Sequence, residues 1–129
     1  MATRRPPRPT AAELAILRVL WTEGPSTVRA VMEKLRAERA LGYTTVLKFL
    51  QIMTEKGLVT RDERERSHVY AARHSEEDTQ RDLVSDLVAR AFGGSARKLV
   101  LQALGSRSVT REELAEIRRE LDALERRSR

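Results

Sequence analysis

The sequence predicts a mainly α-helical chain with one small β-hairpin, and three observations predict it. Apolar residues recur three and four positions apart in six separate stretches, the period of an amphipathic helix. Between about residues 58 and 73 that period gives way to β-branched and aromatic residues. Aromatic residues make up only 4% of the chain and cysteine is absent. The core must therefore rest on Leu, Val, Ile and Ala, a composition that suits helices.

Each element has its own signals. Residues 1–9, MATRRPPRP, hold three prolines that remove amide donors and restrict their neighbours, so they are expected to form an extended basic arm. Thr10 with Glu13 reads as a capping box that opens the first helix. Its apolar side is Leu14, Ile16, Leu17, Leu20 and Trp21, all expected in the core, and Gly24-Pro25 ends it. Ser26 is the expected cap of a second helix carrying Val28, Val31, Met32 and Leu35. A third helix runs from about Tyr43 to Lys56, with Val46, Phe49, Leu50 and Met53 on one face and Gly57 in the usual left-handed C-terminal position. LVTRDER and SHVYAAR then read as two strands joined by a charged turn near Arg64–Arg66. Ser75 with Asp78 caps a fourth helix running to about Phe92, broken by Gly93-Gly94. A short fifth helix begins at Ser95 and ends at Gly105. Thr110 with Glu113 is a second capping box, and Leu114, Ile117, Leu121 and Leu124 follow at spacings of 3, 4 and 3, a heptad seam.

At 129 residues the chain is one domain, or a small domain with an extension. The formal charge is +6 and unevenly placed. Residues 1–74 hold 14 Lys/Arg against 8 Asp/Glu, whereas residues 75–129 hold 11 of each. A basic half joined to a neutral half suits a polyanion on one surface and a different partner on the other. Without cysteine there are no disulfides, zinc-thiolate sites or thiol chemistry, which is compatible with a reducing cytoplasm. No apolar run approaches the roughly 20 residues that span a bilayer, so no membrane insertion is expected, and no secretory leader follows the N-terminal arginines. His68 and His74 lack the companions of a metal site. No Gly-rich phosphate loop or His-carboxylate pairing marks an enzyme, and no catalytic residue, metal or cofactor is expected.

Three helices followed by a hairpin is the order of a winged helix-turn-helix, whose third helix enters the major groove of DNA. The outward face of that helix fits the role. Thr44 and Thr45 lie at its N-terminus, where free amides and the helix dipole favour phosphate. Lys48 is expected to reach a phosphate or a guanine edge, and Gln51 is suited to pair with adenine. Leu47, expected to be exposed, would pack on a thymine methyl or, alternatively, beneath the wing. Tyr43 suits either packing or a phosphate contact. Arg61, Arg64 and Arg66 load the wing for phosphate, diluted by Asp62, Glu63 and Glu65.

TAAELAILRVLWTEGPSTVRAVMEKL, YTTVLKFLQIMTEKGLVTRDE and HVYAAR together resemble the penicillinase-repressor family, also called BlaI/MecI, with copper-responsive relatives of the CopY kind. The resemblance covers about Thr10 to Glu125. It implies a cytoplasmic dimeric repressor that binds inverted-repeat operators, of β-lactam-response or related stress genes. It also implies, for β-lactam-responsive members, a membrane-bound sensor metalloprotease that cleaves an Asn-Phe bond in the fifth helix. The matching positions here are Gln102-Ala103. The copper-responsive branch uses cysteines near its C-terminus, and this chain has none. Glu65-Arg66 replaces the Gly-Arg common at the family's wing turn.

The expected organisation is a basic arm over 1–9, a winged-helix DNA-binding domain over 10–74 and a helical dimerisation domain over 75–127. Leu83, Leu87 and Val88 of the fourth helix and Leu114, Ile117, Leu121 and Leu124 of the last are the expected dimerisation residues. The competing reading is a helical protein-interaction module without sequence-specific DNA binding.

Overall fold

The computed structural model describes residues 8–106 and 108–128. Most of the expected arm, residues 1–7, lies outside the described residues. The chain order is α1 (Ala11–Glu23), β1 (Ser26–Thr27), α2 (Val28–Leu35), α3 (Tyr43–Lys56), β2 (Val59–Asp62), β3 (Val69–Ala72), α4 (Glu76–Ala91), α5 (Ala96–Ser106) and α6 (Arg111–Arg127). The described chain divides into two compact units, one up to Leu83 and one from Val84, so the division falls within α4.

In the first unit, α1 opens with the expected capping box. The Glu13 amide donates to Thr10 Oγ1 at 3.2 Å, and the Thr10 amide donates to Glu13 Oε1 at 2.9 Å. The second helix differs from expectation. Ser26 and Thr27 pair as a short strand with Tyr70 and Val69, and it is Thr27 that caps α2 by accepting from the Ala30 amide at 3.2 Å. Ser26 is buried and turns its hydroxyl back to the Gly24 carbonyl at 2.8 Å. The hairpin is thus part of a three-stranded antiparallel sheet of order β1-β3-β2, in register Val59 to Ala72 and Asp62 to Val69. α3 ends at Gly57, whose φ of +80° lies in the left-handed region that favours glycine. That reversal delivers the chain from α3 directly into β2.

Ile16, Leu17 and Leu20 from α1, Val31 and Leu35 from α2, and Val46, Leu50 and Met53 from α3 close on one another, with Val59 and Tyr70 sealing the sheet side. The predicted stripe of each helix faces inward, and Met32 of α2 and Phe49 of α3 pack on the core only half-buried. Leu14 and Trp21 lie half-buried at the rim of the core. Trp21 donates its indole N–H to the His74 carbonyl at 3.0 Å, tying α1 to the segment that leads into α4.

In α4, α5 and α6 the helix starts are capped as expected. Ser75 Oγ accepts from the Asp78 amide, Ser95 Oγ from the Lys98 amide, and Thr110 Oγ1 from the Glu113 amide. Gly93 and Gly94 both take positive φ and separate α4 from α5. Gly105 does not end α5, which continues to Ser106. The seams differ from those of the first unit: α4 and α6 contain no buried residue. Val84, Leu87, Leu121 and Leu124 are about half exposed, and so are Val100 and Leu101 of α5. Among the described residues no helix is long and apolar enough to cross a membrane.

A candidate nucleic-acid interface

α3 is the one helix of the described chain whose start lacks a side-chain cap. Gly42 precedes it and offers no side-chain acceptor. The first amides of α3 therefore keep their donors, in the turn where the helix dipole is positive. Thr44, Thr45, Lys48 and Gln51 are all exposed, on the side of the helix opposite buried Val46, Leu50 and Met53. Lys48 forms no ion pair among the described residues. No acid joins this stripe before Glu55.

The buried end of α3 is held by charge. Lys56 Nζ donates to both oxygens of Glu13, at 3.1 and 2.9 Å, and Glu13 is almost wholly buried. Burial pushes this carboxyl up. The Lys56 ammonium and the Thr10 amide outweigh that effect and hold it below the ordinary glutamate range. One acid therefore completes the α1 cap and fixes the C-terminal end of α3 against α1. The sequence showed the first role through the capping-box spacing. It carried no signal for the second, because the partners are 43 residues apart.

Leu47 is half-buried and packed on the core, not exposed as expected. It stands on the stripe's own side, three residues after Thr44 and four before Gln51, and lines a cleft together with Arg66, Ser67, His68 and Tyr70 of the wing. Tyr43 is exposed, and the Arg29 guanidinium lies 5.8 Å from its ring centroid, a cation–π distance. Between α3 and the wing lies a cleft of about 370 Å³. Thr27, Val28 and Arg29 line it from the start of α2, Tyr43 and Leu47 from α3, and Arg66, Ser67, His68 and Tyr70 from the wing.

The three wing arginines are not alike. Arg64 is gripped by Asp62 through Nε and Nη2, the latter at 2.6 Å, and its backbone amide also donates to that carboxylate. The Arg64 contacts pull the Asp62 carboxyl down to about 2. Arg61 pairs with Glu63 at 2.5 Å, and the Tyr70 hydroxyl together with Glu63 holds its guanidinium above its usual range. Only Arg66 of the three has no acidic partner among the described residues. Among the described residues no group of His, Cys, Asp or Glu is placed to hold a metal ion.

Comparison with known proteins agrees with this architecture. Residues 9–123 match the family described as Penicillinase repressor. The chain is 37% identical over 114 residues to the transcriptional regulator BlaI of Mycobacterium tuberculosis, covering 88% of this chain and 82% of that protein. It also resembles the solution structure of Bacillus licheniformis BlaI, a monomeric form in complex with the blaP half-operator. That likeness has a TM-score of 0.50 and 23% identity, over 57% of this chain and 90% of that one, and it speaks for the fold. A winged-helix unit whose α3 carries no acid on its outer face before Glu55, joined to a match over nearly the whole chain, makes this protein a member of the penicillinase-repressor family of transcriptional regulators.

Proposed function

We propose that the protein is a homodimeric transcriptional repressor, acting in the cytoplasm, that lays α3 of each protomer into successive major grooves of an inverted-repeat operator. The observation that carries this reading is the exposed Thr44-Thr45-Lys48-Gln51 stripe, free of acids and mounted on a helix whose other face is buried in the core. In this reading Thr44, Thr45 and the uncapped amides meet phosphate, and Lys48 and Gln51 reach base edges. Tyr43 and Leu47 act at the margin, with Leu47 supporting the wing. Arg61 and Arg64 reach phosphate only by exchanging Glu63 and Asp62 for it.

Residues 10–74 serve as the DNA-binding domain and 75–127 as the dimerisation domain. The apolar side chains left open on α4 and α6 support the second assignment, because exposed apolar surface of that extent marks an interaction face. Leu83, Leu87 and Val88 together with Leu114, Ile117, Leu121 and Leu124 form the surface that a second copy covers. β-Lactam-response or related stress genes are the regulated class that the family relationship favours. A membrane-bound sensor metalloprotease is the partner it favours for release. Gln102 and Ala103, both exposed on α5, stand where the β-lactam-responsive members carry Asn-Phe.

Selection of bound fragments from the source genome, followed by titration of the recovered duplex against salt, tests the function. The expected result is an inverted repeat whose affinity falls steeply as salt rises, because neutralised phosphates release counterions. Recovery of random fragments with no shared dyad would reject sequence-specific repression.

A further inference from the structure

The wing does not offer its three arginines equally. Two of the three wing arginines are neutralised by Asp62 and Glu63 within the wing itself. Arg66 and Arg29 have no acidic partner among the described residues, and both line the cleft between α2, α3 and the β2–β3 connection. No carboxylate lines that cleft. Its other polar walls are Thr27, Tyr43, Ser67, His68 and Tyr70, of which Ser67 and His68 stand beside Arg66 in the connection and can donate hydrogen bonds. The Arg29 guanidinium lies over the ring of Tyr43, 5.8 Å from its centroid, and Tyr43 is the first residue of α3.

We propose that this cleft seats the sugar–phosphate backbone flanking the groove that α3 enters, and that Arg29 and Arg66, with Ser67 and His68, hold it there. The assignment rests on the DNA-binding reading above and deepens it. Backbone contact passes from Arg61 and Arg64, which acids hold, to Arg66 of the β2–β3 connection, and α2 contributes a cation of its own. A guanidinium is suited to the task because its planar fork matches phosphate oxygens in pairs. Stacking on Tyr43 pre-orients Arg29, so less side-chain freedom is lost on contact. Because the cleft is made by residues that flank α3 on two sides, a phosphate held there sets how deeply α3 enters the groove. A contact of this kind carries no base information. It strengthens binding to every duplex alike and fixes the register in which Lys48 and Gln51 read.

The test uses the full chain and two probes, the selected operator and a random duplex of equal length, each titrated across a range of salt. Arg29→Ala and Arg66→Ala are expected to weaken both probes by the same factor, on the order of fivefold each, and to lower the salt slope by about 2, one phosphate contact being lost from each protomer of the dimer. Arg29→Lys keeps the charge without the planar fork and is expected to restore the slope but only part of the affinity. Arg81→Ala on α4 removes the same charge far along the chain from the cleft, where Arg81 already pairs with Asp78 at 3.2 Å, and is expected to leave the slope unchanged. Lys48→Ala separates the two levels of the argument. If Lys48→Ala weakens operator binding while neither cleft variant changes the slope, the cleft assignment is overturned and the DNA-binding reading stands. If the wild-type chain binds neither probe at low salt, the DNA-binding reading itself has failed. Equal slope losses for Arg29→Ala and Arg81→Ala would reduce the effect to net charge and also overturn the assignment.

Discussion

The two units of this chain bury their apolar residues by different means. Every buried apolar side chain among the described residues lies between Ala15 and Tyr70, and the first unit closes over them. α4 and α6 are built on equally regular apolar spacings yet bury nothing within one chain. The difference is one of partners available in sequence. α1, α2 and α3 are joined by short connections and backed by a sheet, so each stripe has another stripe to meet. The stripes of α4 and α6 stand open, as the seam of a coiled coil does before its mate arrives. Amphipathic periodicity thus reports that a face will be covered. It does not report whether the cover comes from the same molecule.

The sharpest way to break this comparison is to charge the open seam. Ile117→Asp and Leu121→Asp are expected to leave the first unit folded and to abolish the dimer, since an unpaired carboxylate cannot be buried there cheaply. Operator affinity should fall by roughly 10²- to 10⁴-fold as the two half-site contacts lose their linkage. Sedimentation as an unchanged dimer would show that the seam lies elsewhere. A second substitution attacks the closed unit. Lys56→Ala strands the Glu13 carboxylate in the core and is expected to cost about 2–3 kcal/mol in urea unfolding followed by Trp21 fluorescence. The dimer seam should be indifferent to it, and a loss of dimer with no loss of stability would invert the comparison.

The reading face itself comes next in size. Lys48→Ala and Thr45→Ala should each weaken operator binding by about five- to tenfold while leaving both dimer and stability intact. Unchanged affinity would remove the stripe from the interface. The smallest effect is one of pH. The Glu13 carboxyl sits below its unfolded value, so its stabilising contribution is complete above the ordinary glutamate range. That contribution is lost as pH falls through the lower folded value. Wild-type stability should therefore drop more steeply than that of Glu13→Gln between pH 5 and about 3. Parallel curves would show that the Lys56 pair adds nothing to the native state.

The order of elements was legible because its punctuation is chemical. Thr10 with Glu13, Gly57, Ser75, Gly93-Gly94, and Thr110 with Glu113 each mark an end that the structure keeps. What failed depended on partners distant in sequence. Ser26 was expected as a cap, but a two-residue strand has no period to recognise, and β3 recruits Ser26 and Thr27 from more than forty positions away. Leu47 was expected either exposed toward a thymine methyl or packed beneath the wing; a helical wheel shows only the helix and could not choose, and the half-buried position beside the wing residues fits the second. The wing arginines read as equivalent in sequence. Their acids sort them, since Asp62 and Glu63 each choose one partner and leave Arg66 alone. Gly105 was read as a stop, yet its φ is not positive and α5 passes through it.

The bare stripes of α4 and α6 also bear on abundance. A unit that completes its core alone has a melting temperature indifferent to concentration. A unit that borrows its core from a second copy is governed by mass action and firms as protomers accumulate. In the proposed dimer, the number of copies in the cell is therefore a control variable in its own right. Halving that number would lower occupancy more than proportionally wherever protomers outnumber pairs.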